Sequence, residues 1–118
     1  MLLAEETRSA DPNHAPLAEA HARLQGERDA NGRKLEVLRV PMPAPVMWGD
    51  ERLPASYCNY YVANGVVLVP VFDDPNDARA LGIIRECFPT RRIIPIRAVD
   101  LVLGLGTIHC STHEEPAP

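Results

Sequence analysis

The sequence has few aromatic residues, no long apolar run and no cluster of basic residues. Aromatic side chains make up 5% of its 118 residues, and no uninterrupted apolar stretch approaches the roughly 18 residues that a membrane span requires. The chain carries 12 basic and 16 acidic side chains, a formal net charge of −4, whereas binding to nucleic-acid phosphates needs clustered lysine or arginine. Composition therefore predicts a protein that neither spans a membrane nor binds nucleic acid.

A secretory signal pattern and paired cysteines are also lacking. The apolar opening Met1–Ala4 meets two glutamates at once, whereas a signal peptide needs a basic start and an apolar run of about 7–15 residues. The 3 cysteines form no paired-spacing motif, and an odd number argues against a disulfide framework. We therefore predict a cytoplasmic protein with free cysteines.

Prolines, 12 in all, divide the chain into short elements. Residues 1–12 are predicted to be a flexible start, and apolar residues at helical spacing predict a first helix over 13–30. A β-rich run predicts a strand over Leu35–Val40. The alternating prolines after it hold the backbone extended and withhold hydrogen-bond donors, so we expect a surface loop up to about residue 56.

Asn64-Gly65 separates two apolar runs, residues 57–63 and 66–71. Both turn residues tolerate positive φ, which makes this pair the strongest short signal for a β-hairpin. The arms are apolar on both faces, so at least one of them is expected to lie inside a covered sheet.

A second helix is predicted after the hairpin. Asp74 can cap it, Pro75 suits the first helical position, and Asp77 can complete a capping-box-like exchange. The apolar stripe of this helix ends near Phe88, just before a proline. A further strand is predicted over 92–96.

Together these elements predict the α/β class. Residues 57–103 form a strand-strand-helix-strand module that ends in an apolar strand, and residues 13–56 are interpreted as the end of a preceding module. Residues 104–118 then carry a reactive segment and a tail. The chain is therefore predicted to be a single domain with an incomplete first module.

Residues 104–113 concentrate reactive side chains where an apolar strand is expected to leave the sheet, a common place for a functional site. Cys110 could act as a nucleophile, because a thiolate is intrinsically the most nucleophilic group in proteins. From pattern alone, an inert packed cysteine is the alternative. If the segment is extended, His109 points away from Cys110, since neighbouring side chains leave a strand on opposite faces. His113 could approach only through a turn.

A metal site formed by His109, Cys110 and His113 is a weaker alternative. A strand exit does not hold the two histidines on one helical face, so no metal is predicted. The other two cysteines, Cys58 and Cys87, are predicted to be packing residues.

An asparagine in the predicted hairpin and a pair of glycines before Cys110 are two further candidate features. An amide in an otherwise apolar strand, at Asn59, either satisfies a backbone group or faces a ligand. The pair Gly104 and Gly106 is too short for a dinucleotide-binding fingerprint and lacks the following helix. It indicates close backbone approach or positive φ ahead of the cysteine.

Several separated motifs occur in the order typical of one enzyme family. They are Asp29–Arg33, Val40–Pro43, Ser56–Tyr61, Phe72–Asp77, Phe88-Pro89 and Ile108–Thr112. In these motifs the chain resembles the C-terminal part of the agmatine deiminases, within the bacterial peptidyl-arginine deiminase family of guanidine-modifying enzymes. The resemblance runs from about residue 10 to the end.

This resemblance implies a fold and a reaction. The fold would be a pentein-type α/β propeller of five ββαβ modules, of which residues 57–103 would be one. In the reaction, a cysteine attacks the guanidinium carbon, ammonia leaves, and water hydrolyses the thiouronium intermediate. Agmatine would give N-carbamoylputrescine, on the route to putrescine, without metal or cofactor. By position, Cys110 would be the nucleophile, and Asn59 and Gly106 would lie near the substrate.

The sequence departs from the family pattern in two ways, and both bear on the activity that the resemblance implies. Agmatine deiminases typically read Gly-Gly-Gly-Asn where this chain has Gly104–Thr107, which bears on substrate choice. The family's His-x-Asp segment lies upstream of the matched region, and neither His14 nor His21 has that pattern. We therefore expect a catalytically incomplete fragment that is inactive alone. The alternatives are a non-enzymatic interaction module, a peptidyl-arginine deiminase, and a homo-oligomer or complementary upstream chain that supplies the missing modules.

Overall fold

A computed structural model describes residues 1–116 and shows a mixed arrangement of helices and short strands. In chain order the elements are β1 Leu2–Glu5, α1 His14–Leu24, β2 Leu38–Pro41, β3 Met47–Trp48, β4 Glu51–Arg52, β5 Tyr61–Ala63, β6 Val66–Val71, α2 Asp77–Cys87 and β7 Arg92–Arg97, followed by 3₁₀ turns at Leu101–Gly104 and His109–Ser111. The predicted α/β class is confirmed. Neither α-helix in this part of the chain has the length and apolar character needed to cross a bilayer.

The strands β5, β6 and β7 form one sheet with β6 in the middle. β5 and β6 are antiparallel, and Ala63 lies opposite Val66, which leaves Asn64 and Gly65 as the turn, with Gly65 at φ 74°. The predicted hairpin is therefore confirmed. Its first arm is shorter than expected, because residues 57–60 lie outside the strand.

Helix α2 connects β6 to β7, which pair in parallel. As predicted, acidic side chains organise its start: Asp74 Oδ1 accepts from the Asn76 N–H (2.8 Å), and Asp77 Oδ2 accepts from the Asp74 N–H (3.1 Å). The helix begins at Asp77 and not at Pro75, because the Asp77 N–H closes a turn on the Asp74 carbonyl (2.9 Å). It ends at Cys87, before the proline, as predicted.

The prediction of a flexible start over residues 1–12 is wrong. β1 pairs in parallel with β2, Leu2 lying opposite Leu38, and α1 joins the two strands. Leu2 packs against the core, and Glu6 is buried. The apolar run at the start of the chain therefore forms a strand because it pairs with β2 and packs on the core. The residues next to it in the sequence do not indicate this pairing.

Helix α1 ends at Leu24, well short of the predicted end. Gly26 adopts φ 91°, a left-handed conformation that does not continue a right-handed helix. The chain then returns through an antiparallel bridge between Arg28 and Lys34. As a result, β2 is displaced toward the C-terminus relative to the predicted strand over residues 35–40.

The predicted surface loop between β2 and β5 is wrong in part. A short hairpin of β3 and β4 interrupts it, and Pro43, Leu53 and Ala55 are buried. Both carboxylate oxygens of Asp11 accept from the Arg52 guanidinium (2.7 and 2.8 Å), which fixes the hairpin against the N-terminal part. Proline density alone therefore did not reveal that this segment contributes to the core.

A single buried cluster joins the two halves of the chain. Val69 of β6, Ile84 of α2 and Val40 of β2 are all fully buried within it. The Tyr57 ring packs edge-on against Phe72, with the ring centroids 5.6 Å apart. The early part of the chain and the β5–β7 unit are thus held together by apolar contacts.

The apolar run after β7 is not the predicted strand. Leu101–Gly104 is a 3₁₀ turn in which Val102 is fully buried and its N–H donates to the Ala98 carbonyl (3.0 Å). A short apolar run is compatible with either conformation, and the burial of a single side chain favours the turn here. Residues 104–113 therefore follow a helical turn and do not leave the sheet directly.

A small network of buried carboxylates lies near the start of α1. Glu6 has a side chain only 3% exposed, and its oxygens accept from Arg8 Nη2 (2.7 Å) and Nε (3.0 Å). The Arg8 hydrogen bonds hold the pKa of Glu6 below its usual value, and those from Arg52 do the same for the pKa of Asp11. The network therefore stabilises the fold only while these groups are ionised.

This network predicts acid sensitivity. A carboxyl whose folded pKa is lowered adds stability above its unfolded pKa, and this contribution is lost as the pH falls through the folded value. We expect Glu6→Gln to cost about 1–2 kcal/mol of unfolding free energy at neutral pH and less at about pH 3, where protonation of Glu6 removes part of the same contribution from the wild type. Urea unfolding at both pH values measures this, and equal costs would contradict it.

Candidate functional site

Cys110 is exposed and lies in the second 3₁₀ turn, against Asn59. The Asn59 amide donates from Nδ2 to Cys110 Sγ (2.9 Å), and its Oδ1 accepts from the Cys110 N–H (3.3 Å). The Asn59 carbonyl also accepts from the His109 N–H (3.2 Å). The structure thus brings together two of the predicted site residues, 51 positions apart in the sequence.

Gly106 is the third predicted residue, and it lies directly beneath the cysteine. A Cβ placed on Gly106 would stand 2.5 Å from Cys110 Cβ and 2.8 Å from Sγ, whereas one on Gly104 would have nothing within 4 Å. The prediction of a close approach at Gly106 is therefore confirmed. The alternative of positive φ is wrong for both glycines, because it is Leu105 between them that adopts φ 64°.

The backbone around Cys110 is a compact turn and not an extended strand. The Ser111 N–H donates to the Thr107 carbonyl (3.1 Å), and the Thr112 hydroxyl donates to the Ile108 carbonyl (2.9 Å). The expectation that His109 points away from the thiol assumed an extended backbone, and that assumption is wrong. Within the turn, it is Asn59 that supplies the hydrogen-bond partner of Sγ.

The two histidines of this segment do not form a metal site. His109 and His113 line an open groove with Tyr61, Thr112 and Glu114. Across residues 1–116, no three histidine, cysteine, aspartate or glutamate side chains are arranged to hold a metal ion. The exposed histidines are therefore available to solvent at the edge of the cysteine turn.

The remaining thiols lie in surroundings that disfavour reactivity. Cys58 packs against the core, and burial raises the pKa of its thiol. Burial also raises the pKa of Cys87, which is half-buried at the end of α2. A raised pKa keeps a thiol protonated and unreactive, which agrees with the packing role predicted for Cys58. Cys110 differs from both because its side chain is exposed to solvent.

Thr107 carries a buried hydroxyl without a hydrogen-bond partner among the described residues. A buried polar group left unpaired costs about 1–3 kcal/mol. We therefore expect Thr107→Val, which keeps the shape, to raise the free energy of unfolding by about 1 kcal/mol. The matched variant Thr112→Val loses a hydroxyl that is bonded to Ile108 and should lower it by a similar amount. Chemical denaturation would show whether the two changes have opposite signs; the same sign for both would contradict the prediction.

Leu105 is the residue of this segment that the sequence reasoning missed. It is 72% exposed and adopts a left-handed backbone conformation (φ 64°, ψ 22°). The glycines on either side of Leu105 are the available sequence signal, since paired glycines mark a tight turn. A bulky side chain is unusual in this backbone region.

The family model for Porphyromonas-type peptidyl-arginine deiminase matches residues 1–116 of this chain. The agmatine deiminase of Ectopseudomonas mendocina is 35% identical, with 100% of this chain and 37% of that protein aligned. The agmatine deiminase of Stutzerimonas stutzeri is 37% identical with the same coverage. The chain therefore spans little more than a third of the length of these relatives.

Solved structures show the same fold. A candidate arginine deiminase from Porphyromonas gingivalis superposes with a TM-score of 0.88 at 32% identity, covering 92% of this chain and 32% of that one. The agmatine deiminase of Enterococcus faecalis superposes with a TM-score of 0.84 at 26% identity, covering 92% and 34%. The fold described above thus recurs within longer chains.

Proposed function

Because the chain belongs to the Porphyromonas-type peptidyl-arginine deiminase family, we propose that it forms the nucleophile-bearing part of an agmatine deiminase-like hydrolase. The substrate would be agmatine, and the products N-carbamoylputrescine and ammonia. The observation that carries the proposal is the contact between Asn59 and the exposed Cys110, in a turn that Gly106 leaves room for. An amide that donates to an exposed thiol supports a role for that thiol beyond packing.

The proposed reaction has two covalent steps. Cys110 Sγ forms a bond to the guanidinium carbon, and the carbon–nitrogen bond breaks to release ammonia. Water then adds to the thiouronium carbon, the sulfur–carbon bond breaks, and the ureido product leaves. A guanidinium is a poor electrophile because resonance delocalises its charge, so dividing the displacement into two steps lowers the barrier of each.

Asn59 and Gly106 support the first step in this proposal. The Asn59 N–H that points at Sγ can stabilise negative charge on sulfur, and the Asn59 Oδ1 holds the Cys110 backbone. Gly106 allows the cysteine turn to lie close to the preceding backbone. Both residues are also predicted to line the substrate site. The guanidinium-binding carboxylates and the proton-transferring imidazole would come from the part of the fold outside this chain.

Selective alkylation tests the proposed nucleophile. We expect chloroacetamide to modify Cys110 of the folded chain about tenfold or more faster than Cys58 and Cys87, because the other two thiols are partly buried and burial raises their pKa. Peptide mass spectrometry at limited reaction times measures the three rates. In urea the rates should converge, which serves as the control. Equal rates in the folded protein would contradict an accessible, positioned nucleophile.

Turnover of agmatine tests the reaction itself. Ammonia release by the 118-residue chain is expected to equal that of Cys110→Ala, since the chain would lack the imidazole and carboxylates of the complete site. Turnover that Cys110→Ala abolishes would mean that this chain, or its self-assembly, supplies those groups. If agmatine is turned over, an arginine-containing peptide assayed beside it separates the two substrate classes, since the matching family model is named for peptidyl-arginine.

A further inference from the structure

The turn that carries Asn59 is anchored in the core by a tyrosine. Residues 56–59 form this turn, and we refer to them as the asparagine turn. The Asn59 N–H donates to the Ser56 carbonyl (3.2 Å), and the Cys58 N–H donates to Ser56 Oγ (3.2 Å). Tyr57 is the fully buried residue of the four. The position of Asn59 therefore depends on where the Tyr57 side chain is held.

The Tyr57 hydroxyl has an acceptor whose own orientation is fixed. It donates to Asp77 Oδ1 (2.7 Å) at the start of α2. The same carboxylate accepts from the Phe72 N–H (3.1 Å) and the Asp74 N–H (3.1 Å), so backbone groups orient it. The Phe72 ring packs edge-on against the tyrosine ring. Tyr57 is thus held both at its hydroxyl and along its ring.

Filling the core does not require this hydroxyl. A phenylalanine would occupy nearly the same volume and would need no acceptor, whereas a buried hydroxyl must be paired to avoid a cost in free energy. Hydrogen bonds are directional, and a fully paired polar group in a core favours one arrangement of its surroundings. The bond to Asp77 therefore places the tyrosine, and with it the asparagine turn, more closely than apolar packing does.

The asparagine turn in turn contacts the cysteine. The Asn59 carbonyl accepts from the His109 N–H (3.2 Å), and Asn59 Oδ1 accepts from the Cys110 N–H (3.3 Å). Asn59 Nδ2 donates to Cys110 Sγ (2.9 Å). A continuous series of contacts therefore connects the carboxylate at the start of α2 with the thiol.

We propose that Tyr57 and Asp77 are positioning residues for the nucleophile, which place Asn59 so that its amide meets Cys110 Sγ. This inference rests on the proposed function, in which Cys110 attacks the substrate. Both residues act through Asn59, whose N–H favours the thiolate over the thiol. Loss of the Tyr57 hydroxyl should therefore change the thiol in the same direction as loss of the Asn59 amide, and to a smaller extent.

The pH dependence of alkylation tests this in the 118-residue chain. Losing a hydrogen bond to sulfur lowers the thiolate fraction, and a gain in intrinsic nucleophilicity offsets about half of that effect on the rate. At neutral pH we expect chloroacetamide to modify Cys110 about twofold more slowly in Tyr57→Phe and about fivefold more slowly in Asn59→Ala. At about pH 10, where an accessible thiol is mostly ionised, neither variant should react more slowly than wild type.

Nuclear magnetic resonance of the Asn59 side-chain amide supplies a second readout. Cys110→Ala removes the acceptor sulfur and so identifies the resonance of the bonded amide proton. Tyr57→Phe should shift this resonance in the same direction. The matched control is Ile84→Val, which trims a fully buried residue of the same core. It should lower the melting temperature without changing the amide resonance or the alkylation of Cys110.

Three results would overturn the proposal. The first is a Tyr57→Phe variant whose amide resonance and neutral-pH alkylation rate equal those of wild type. The second is faster alkylation of that variant at every pH, because greater exposure of the thiol, and not a lost hydrogen bond, gives that pattern. The third is an equal effect of Ile84→Val, which would mean that any loss of core stability disturbs the thiol.

The same measurements separate this inference from the proposed function. If Tyr57→Phe shifts the amide resonance, but wild-type Cys110 reacts no faster than Cys58 and Cys87, the positioning role is supported and the proposed nucleophile is contradicted. If Cys110 reacts selectively and Tyr57→Phe changes neither readout, the nucleophile is supported and the positioning role is wrong.

Discussion

Replacing Asp77 with alanine is expected to lower the free energy of unfolding by about 4 kcal/mol, because three hydrogen-bond donors lose their acceptor. Asp77 Oδ1 accepts from the Tyr57 hydroxyl (2.7 Å) and the Phe72 N–H (3.1 Å), and Oδ2 accepts from the Asp74 N–H (3.1 Å). Tyr57 is fully buried, so its hydroxyl would be left without a partner. This carboxylate joins the end of β6, the start of α2 and the core.

The surroundings of Tyr57 support so large an effect. Burial, together with the hydrogen bond to Asp77, raises the pKa of Tyr57 far above its usual value. The neutral phenol is therefore the form that the fold holds, with Asp77 as its acceptor. An alanine at position 77 removes this acceptor, which leaves the buried hydroxyl unpaired and destabilises the fold.

The control for this prediction is the neighbouring acid. Asp73 pairs with Arg97 at 2.7 Å, but both side chains are more than half exposed. Asp73→Asn should therefore cost less than about 1 kcal/mol, and asparagine also tolerates the φ of 56° found there. Urea denaturation followed by circular dichroism compares the two. A loss for Asp77→Ala no larger than for Asp73→Asn would contradict the assigned role.

Gly106→Ala is the second substitution with a large expected effect. Its methyl group would stand 2.5 Å from Cys110 Cβ, an atom fixed by the backbone that no rotation of χ1 can move. The cysteine turn must therefore shift away, and the two hydrogen bonds with Asn59 would lengthen or break. We expect a loss of about 2–3 kcal/mol of stability, together with loss of the defined geometry of the thiol.

A double-mutant comparison makes this prediction specific. Gly106→Ala in a Cys110→Ala background should remain costly, since the clashing Cβ is still present. In a Cys110→Gly background the cost should largely disappear, because that atom is gone. Gly104→Ala is the matched control, with nothing within 4 Å of the added methyl, and should change stability by less than about 0.5 kcal/mol. Equal costs in all backgrounds would show that the contact is not the cause.

Those elements whose signals are local could be predicted from the sequence. Asn64-Gly65 indicated its hairpin because glycine readily takes the positive φ of a two-residue turn, and Gly65 adopts φ 74°. Asp74 and Asp77 specified the start of α2 through bonds to backbone groups within a few residues. In both cases the residues that determine the element are within a few positions of it in the sequence.

Elements that depend on distant partners could not be predicted in the same way. β1 is a strand because β2 lies beside it, and 4 residues carry too little pattern to show this. The run 101–103 is apolar enough for a strand, and only the burial of Val102 selects a 3₁₀ turn. Tertiary contacts therefore decided these segments against their local pattern.

For the candidate site, the sequence identified residues but not their geometry. Cys110 and Asn59 were singled out by chemical type, position and resemblance, yet no spacing rule predicts that their side chains meet. The close approach at Gly106 was foreseen as one of two options, and the structure selects it. Leu105 could not be predicted as unusual, because the feature that distinguishes it is its positive φ and not its residue type.

The long sequence separation between Asn59 and Cys110 has a consequence for the order of folding. The Asn64-Gly65 hairpin closes a short loop and can form within about 1–10 μs. The contact between the asparagine and the cysteine spans 51 residues and bears a larger loop-closure entropy. We expect the cysteine turn to be among the last parts to assemble, so a partly folded chain would carry a fully accessible thiol not yet held by Asn59. During refolding, non-native disulfides of Cys110 would therefore form before its turn has assembled.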